Sequence, residues 1–140
     1  MNSKYFTLEE LVDKDTFGSL GDKAWWLFNP VALIALDGIR DFFDRPVKVN
    51  DWKWGGTLQY RGYRPEHCNI GAINSYHKRG MAFDLDIQGL DAEEARQTII
   101  ENRDNPLLMN IQRMENYVNW VHFDIGSLTN EQNRIYLFKA

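Results

Sequence analysis

Two of the three histidines, His77 and His122, stand with Asp84 in a pattern that could hold a divalent cation. Zinc takes imidazole nitrogen and carboxylate oxygen, and a site that does chemistry uses three protein groups while a fourth position stays open. Asp84 lies in the segment Met81 to Ile87, where Met81, Phe83, Leu85 and Ile87 alternate with Ala82, Asp84 and Asp86. Such alternation predicts a strand with one face in the core, which puts Asp84 on the polar face. His122 is placed the same way, with Trp120 and Asp124 beside it and Val121, Phe123 and Ile125 opposite. Both residues are then expected to point into one cleft, with His77 at the mouth of the first strand. A lone histidine is more often a surface or core residue than a ligand. The weight comes from joint spacing: Ser75 to Asp86 reads S-x-H-x-x-G-x-A-x-D-x-D, and Trp120-Val121-His122-Phe123-Asp124 follows downstream.

These strands need a scaffold, and the sequence supplies its punctuation. Thr7-Leu8-Glu9-Glu10 has the form of a capping box and predicts a helix from about Leu8 to the Gly18–Gly21 turn. Asn29-Pro30 opens a main core helix, in which Ile34, Ala35, Ile39, Phe42 and Phe43 recur at helical spacing until Arg45-Pro46 stops it. A first strand is expected at Val47 to Asp51, and the glycine- and proline-rich stretch Gln59 to Gly80 reads as a long functional loop. Asp91-Ala92-Glu93-Glu94 caps a helix to about Asn102, and Ile111 to Ile125 reads as a hairpin turning near Asn116-Tyr117. Residues 130–140 are expected to add an edge strand or a short helix.

The 140 residues suit one domain spanning 1–140, and 44% apolar with 14% aromatic residues is enough to fill its core. A net charge of -4 offers no broad positive field for a phosphate backbone, so nucleic acid is not an expected partner. No run reaches the length of a membrane span, and Met1-Asn2-Ser3-Lys4 lacks the apolar stretch of a secretory signal. The expectation is therefore a soluble chain without signal peptide, any export of which needs another route. Cys68, the single cysteine, has no internal disulfide partner; beside His67 it reads as a partly buried small residue rather than a nucleophile. Of the five tryptophans, Trp120 is the one expected near a ligand, and core packing accounts for the others.

The two motifs together resemble the zinc D-alanyl-D-alanine carboxypeptidase family, which includes dipeptidases, phage L-alanyl-D-glutamate endolysins and the related zinc fold of Hedgehog signalling domains. The resemblance covers about Leu58 to Gly126. It implies zinc on His77, Asp84 and His122, and an α+β fold whose small antiparallel sheet carries the metal while helices pack on the opposite face. It extends to Gly62-Tyr63-Arg64-Pro65, which implies substrate contacts at Tyr63 and Arg64; Arg64 would stabilise an oxyanion or hold a carboxylate, the plainer alternative being a surface salt bridge. Ser75 is expected to contact substrate, to orient His77 or simply to cap a turn. Asp124 resembles the family's H-x-D carboxylate, fixing His122 from behind, and Asp86 is expected to serve His77 likewise or to be merely solvated.

Many family members carry an acid three positions before the second histidine, where this chain has Asn119. An amide cannot accept a proton, so Glu115 becomes the candidate general base: a hairpin loop of even length puts it on the face of His122, and a salt bridge with Arg113 is the alternative. The function that the resemblance implies is zinc-dependent hydrolysis of peptidoglycan stem or cross-bridge peptides, of carboxypeptidase or endolysin type, by a protein that stays cytoplasmic until release or travels with a virion. The rivals are a catalytically silent metal-binding module that binds cell wall or a protein partner, and a structural phage component using the fold as scaffold.

Overall fold

The alternating segments do pair, at the centre of a five-stranded sheet. In the computed structural model, which describes residues 2–72 and 74–140, the strands are β1 (Val47–Lys48), β2 (Ala82–Ile87), β3 (Arg113–Glu115), β4 (Val121–Asp124) and β5 (Tyr136–Phe138). Their spatial order is β1-β2-β4-β3-β5, antiparallel throughout except for the parallel β3–β5 pair. With three α-helices, α1 (Lys14–Leu20), α2 (Pro30–Phe43) and α3 (Ala92–Glu101), the architecture is α+β. No helix among the described residues is long and apolar enough to cross a membrane.

Register sorts the side chains. Phe83 lies opposite Phe123 and Leu85 opposite Val121, while Asp84 lies opposite His122 and Ala82 opposite Asp124. The first set joins Met114, Ala95 and Ile99, and Leu33, Leu36 and Ile39, in one hydrophobic cluster that holds the helices against the sheet. Burying each of these aliphatic side chains stabilises the fold by about 1.5–3 kcal/mol relative to exposure. Asp84, His122 and Asp124 occupy the other face, yet they are buried too, so the expected open polar face is in fact covered.

Several boundaries differ from expectation for local reasons. The Thr7 capping box closes only a 3₁₀ turn, Leu8–Glu10, and the first true helix starts at Lys14 because Asp13 accepts a hydrogen bond from the Thr16 amide at 3.0 Å. In α2 the buried stripe is Ala32, Leu33, Ala35, Leu36 and Ile39; Ile34, placed in the core by spacing, is exposed. The strand expected at Val47 to Asp51 pairs only through Lys48, since Asn50 and Asp51 turn their side chains to loop amides at Arg61 and Leu58. The C-terminal segment forms a strand, added to the free edge of β3.

Candidate metal centre

His77 belongs to a 3₁₀ turn, Tyr76–Arg79, opened by Ser75, whose Oγ accepts from the His77 amide at 3.2 Å. Of the expected roles for Ser75, turn capping and orientation of His77 are the ones its hydrogen bond serves. The turn ends at Gly80, whose φ of +66° is left-handed and whose Cβ, were there one, would meet the Leu27 carbonyl oxygen at 2.0 Å. The sequence therefore turns sharply from the His77 loop into β2, and seven residues bring Asp84 beside the histidine.

His77 Nε2 approaches Asp84 Oδ1 at 3.3 Å, and His122 Nδ1 approaches the same oxygen at 2.8 Å. The ligand atoms of all three residues lie within 4.8 Å of one another. The outer nitrogens are taken: His77 Nδ1 bonds the Gly62 carbonyl at 2.8 Å, and His122 Nε2 bonds Asp124 Oδ2 at 2.9 Å. A carbonyl only accepts, so Nδ1 of His77 carries its hydrogen, and the neutral ring presents a bare lone pair at Nε2 to a carboxylate oxygen. Two acceptors facing one another in a buried place call for a cation between them. Tetrahedral ligands at 2.0–2.1 Å from zinc would stand about 3.3 Å apart, the separation His77 and Asp84 already have. The donor set therefore fits a metal ion, its identity not fixed by these three groups.

Electrostatics agree. Burial drives the His77 pKa below its ordinary value, against the pull of Asp84. Burial also works against charge on His122, but hydrogen bonds to Asp124 and Asp84 overcome it and push its pKa up to about 9. Burial likewise opposes charge on Asp84, and the hydrogen bond from His122 together with the His77 imidazole beside it outweighs that and holds this carboxyl well below the usual range. Asp124, for which burial is outweighed by hydrogen bonds to His122 and Arg113, is also held low.

Arg113 grips Asp124 through Nε at 2.9 Å and Nη2 at 3.1 Å, and its guanidinium lies over the rings of Tyr76 and Phe138 at 5.1 and 4.3 Å. The alternative salt bridge from Arg113 to Glu115 is thus replaced by one to Asp124, which behaves as expected behind His122. Glu115 lies one residue beyond the Met114–Phe123 pair, and continuing that register sets it across from His122. It lines, with Arg64, Ser75 and Trp120, the same cavity of about 390 Å³ as the three ligand candidates. Burial raises its pKa, with Asp84 adding to the rise and His122 opposing it. Asn119, the position of the acid in many family members, is exposed and faces a separate depression beside Leu90 and Asp91.

Arg64 is buried, and its Nη2 donates to Asp84 Oδ2 at 3.1 Å while Nε donates to the Tyr60 carbonyl. It braces a ligand candidate and is not a surface arginine. Two expected site residues do not reach the cavity. Tyr63 packs edge-on against Phe28, with ring centroids 6.4 Å apart, because its amide donates to the Leu11 carbonyl at 2.9 Å and ties this part of the loop to the flank of the core. Asp86 forms a bidentate pair with Arg61 at 2.9 and 3.1 Å and not a support for His77, whose outer nitrogen the Gly62 carbonyl already holds. Trp120 does line the cavity, and its buried Nε1 finds no hydrogen-bond partner among the described residues.

Three features went unread in the sequence. The Gly62 carbonyl carries no side-chain signal at all. Phe138, whose ring meets His122 edge-on at 5.4 Å, belongs to a strand that pairs only in three dimensions. Arg96 did leave a trace: Ala92, Ala95, Arg96 and Ile99 share one helical stripe, so an arginine stands among core-facing positions. Compared with known proteins, the chain matches no family model, no curated protein and no solved structure.

Proposed function

We propose that this chain is a zinc-dependent peptidase of the carboxypeptidase or endolysin type, acting on stem or cross-bridge peptides of peptidoglycan, with a fold of the Hedgehog and D-alanyl-D-alanine peptidase kind. The observation that carries the proposal is the His77 Nε2 lone pair facing Asp84 Oδ1 beside His122 Nδ1, with both outer imidazole nitrogens engaged. The substrate class rests on the resemblance of the Ser75–Asp86 and Trp120–Asp124 motifs.

His77, Asp84 and His122 would hold the ion, which supplies Lewis acidity to polarise an amide carbonyl and acidify water. Glu115, its carboxyl pKa raised by burial, accepts a proton at an Oε from the attacking water and returns it to the leaving amide nitrogen. Arg64 holds Asp84 Oδ2 through Nη2 and has Nη1 to offer the oxygen on which negative charge develops. Asp124, gripped by Arg113, keeps the His122 ring turned so that Nδ1 faces inward. Trp120 contributes to the cavity wall, where its ring offers a flat apolar surface beside the three ligand candidates.

Metal content of never-chelated protein, measured together with mass analysis of digested muropeptides, tests ion and scissile bond at once. One equivalent of zinc and a defined peptide cleavage are expected. Glu115→Gln should keep the metal and lower kcat by about 100-fold or more. Protein without stoichiometric metal would remove the proposal's basis. A second reading, a silent metal-binding module, draws on the burial of all three ligand candidates at 2–6% exposure. It predicts full metal occupancy, cell-wall binding and no cleavage by either the wild type or Glu115→Gln.

A further inference from the structure

A fully buried guanidinium lies beneath the segment that carries Glu115. Arg96, on α3, is 1% exposed, and its fork is spread over three carbonyls of one short stretch. Nε donates to Glu115 O at 3.0 Å, and Nη2 donates to Val118 O at 2.9 Å and Trp120 O at 3.2 Å. Nη1 turns outward to the Glu93 carboxylate at 2.5 Å, and that carboxylate is 60% exposed.

Burying a charge is unfavourable unless good hydrogen bonds compensate it, and carbonyl dipoles on a single loop are a specific form of compensation. The stretch from Asn116 to Trp120 forms no strand or helix, and Tyr117 within it has a left-handed φ of +63° and is 79% exposed. Only an arginine presents donors in a planar fork wide enough to reach carbonyls at 115, 118 and 120 together. The two ends of that span are cavity residues, Glu115 and Trp120.

We infer that Arg96 is a positioning residue, clamping the backbone between β3 and β4 so that the Glu115 carboxylate stays across from His122 and the Trp120 indole stays in the cavity wall. The inference rests on the peptidase reading for its consequence in catalysis, but the clamp has a readout of its own. Amide hydrogen exchange across residues 116–120 in the metal-loaded full chain should quicken in Arg96→Lys, whose compact ammonium cannot span three carbonyls. Displacing a catalytic group by about an ångström can cost about 100-fold, so Arg96→Lys should lower kcat by about 10- to 100-fold with KM within about twofold and metal stoichiometry unchanged.

The decisive comparison repeats the substitution in a Glu115→Gln background. A residue acting through Glu115 has nothing left to misplace there, so the additional loss should be under about twofold. Equal losses in both backgrounds would reduce Arg96 to a general structural part, and wild-type exchange and kcat in Arg96→Lys would overturn the clamp altogether. Glu93→Gln, at an exposed position, perturbs the same fork without threatening the fold. It should give faster exchange at 116–120 and a smaller kcat loss, again absent beside Glu115→Gln; wild-type behaviour there counts against the clamp even if Arg96→Lys fails to fold. Metal-loaded wild type that cleaves no peptide would sink the peptidase reading, while the exchange data would still judge the clamp.

Discussion

Asp124 illustrates how much of a candidate metal site lies behind the side chains that could hold the ion. Its two oxygens take Arg113, the Gly126 amide and His122 Nε2, so that no lone pair is left to compete for an ion. Replacing it by asparagine keeps the shape and loses the charge that fixes the imidazole. Asp124→Asn should weaken metal affinity by about 10- to 100-fold, measured by competition with a chromophoric chelator, with the unfolding curve of the metal-loaded form still cooperative. Unchanged affinity would mean that His122 is oriented by packing against Phe138 instead.

Individual elements matter here chiefly through the turns at their ends. Gly80 joins the His77 turn to β2 with a φ of +66° and no room for a methyl group beside the Leu27 backbone. Gly80→Ala should therefore cost roughly 2 kcal/mol or more, combining left-handed strain with a backbone clash, and appear as a drop of several degrees in Tm. A stability within about 0.5 kcal/mol of wild type would show that the turn can relax. At this scale the sequence is legible where one periodic signal dominates: the period-two pattern of 81–87 and 120–125 by itself puts Asp84 and His122 on one face. It was less readable where tertiary hydrogen bonds compete with local preference. Asn50 and Asp51 leave the β1 pattern to bond the loop, and Asp13 outdoes Thr7 as a helix start. Tyr63 differs from expectation because adjacency to a motif is not adjacency in space, and Asp86 follows the solvated alternative, paired with Arg61.

Across the whole molecule, the buried charges couple stability to metal and proton together. Without metal, His122 binds its proton up to about pH 9 in the folded state, whereas in the unfolded chain the ordinary value of 6.5 applies. Its contribution is complete below pH 6.5 and fades as pH rises through 9. His77, with a lowered folded pKa, acts the other way: below pH 6.5 the unfolded chain binds a proton that the folded one refuses. Chelated protein should thus lose Tm steadily between pH 6.5 and 9. Metal-loaded protein should not, because the ion replaces the proton at Nδ1, and its binding at pH 7 should release about one proton by calorimetry in buffers of different ionisation heat. A flat Tm profile for the chelated form would show that His122 is already neutral there.

The parallel pairing of β5 with β3 covers the border of the strand that carries Glu115 and makes β5 the edge of the sheet. Any strand added on this side of the sheet would therefore pair with Tyr136–Phe138 and not with the strand of Glu115, whose two borders are already taken by β4 and β5.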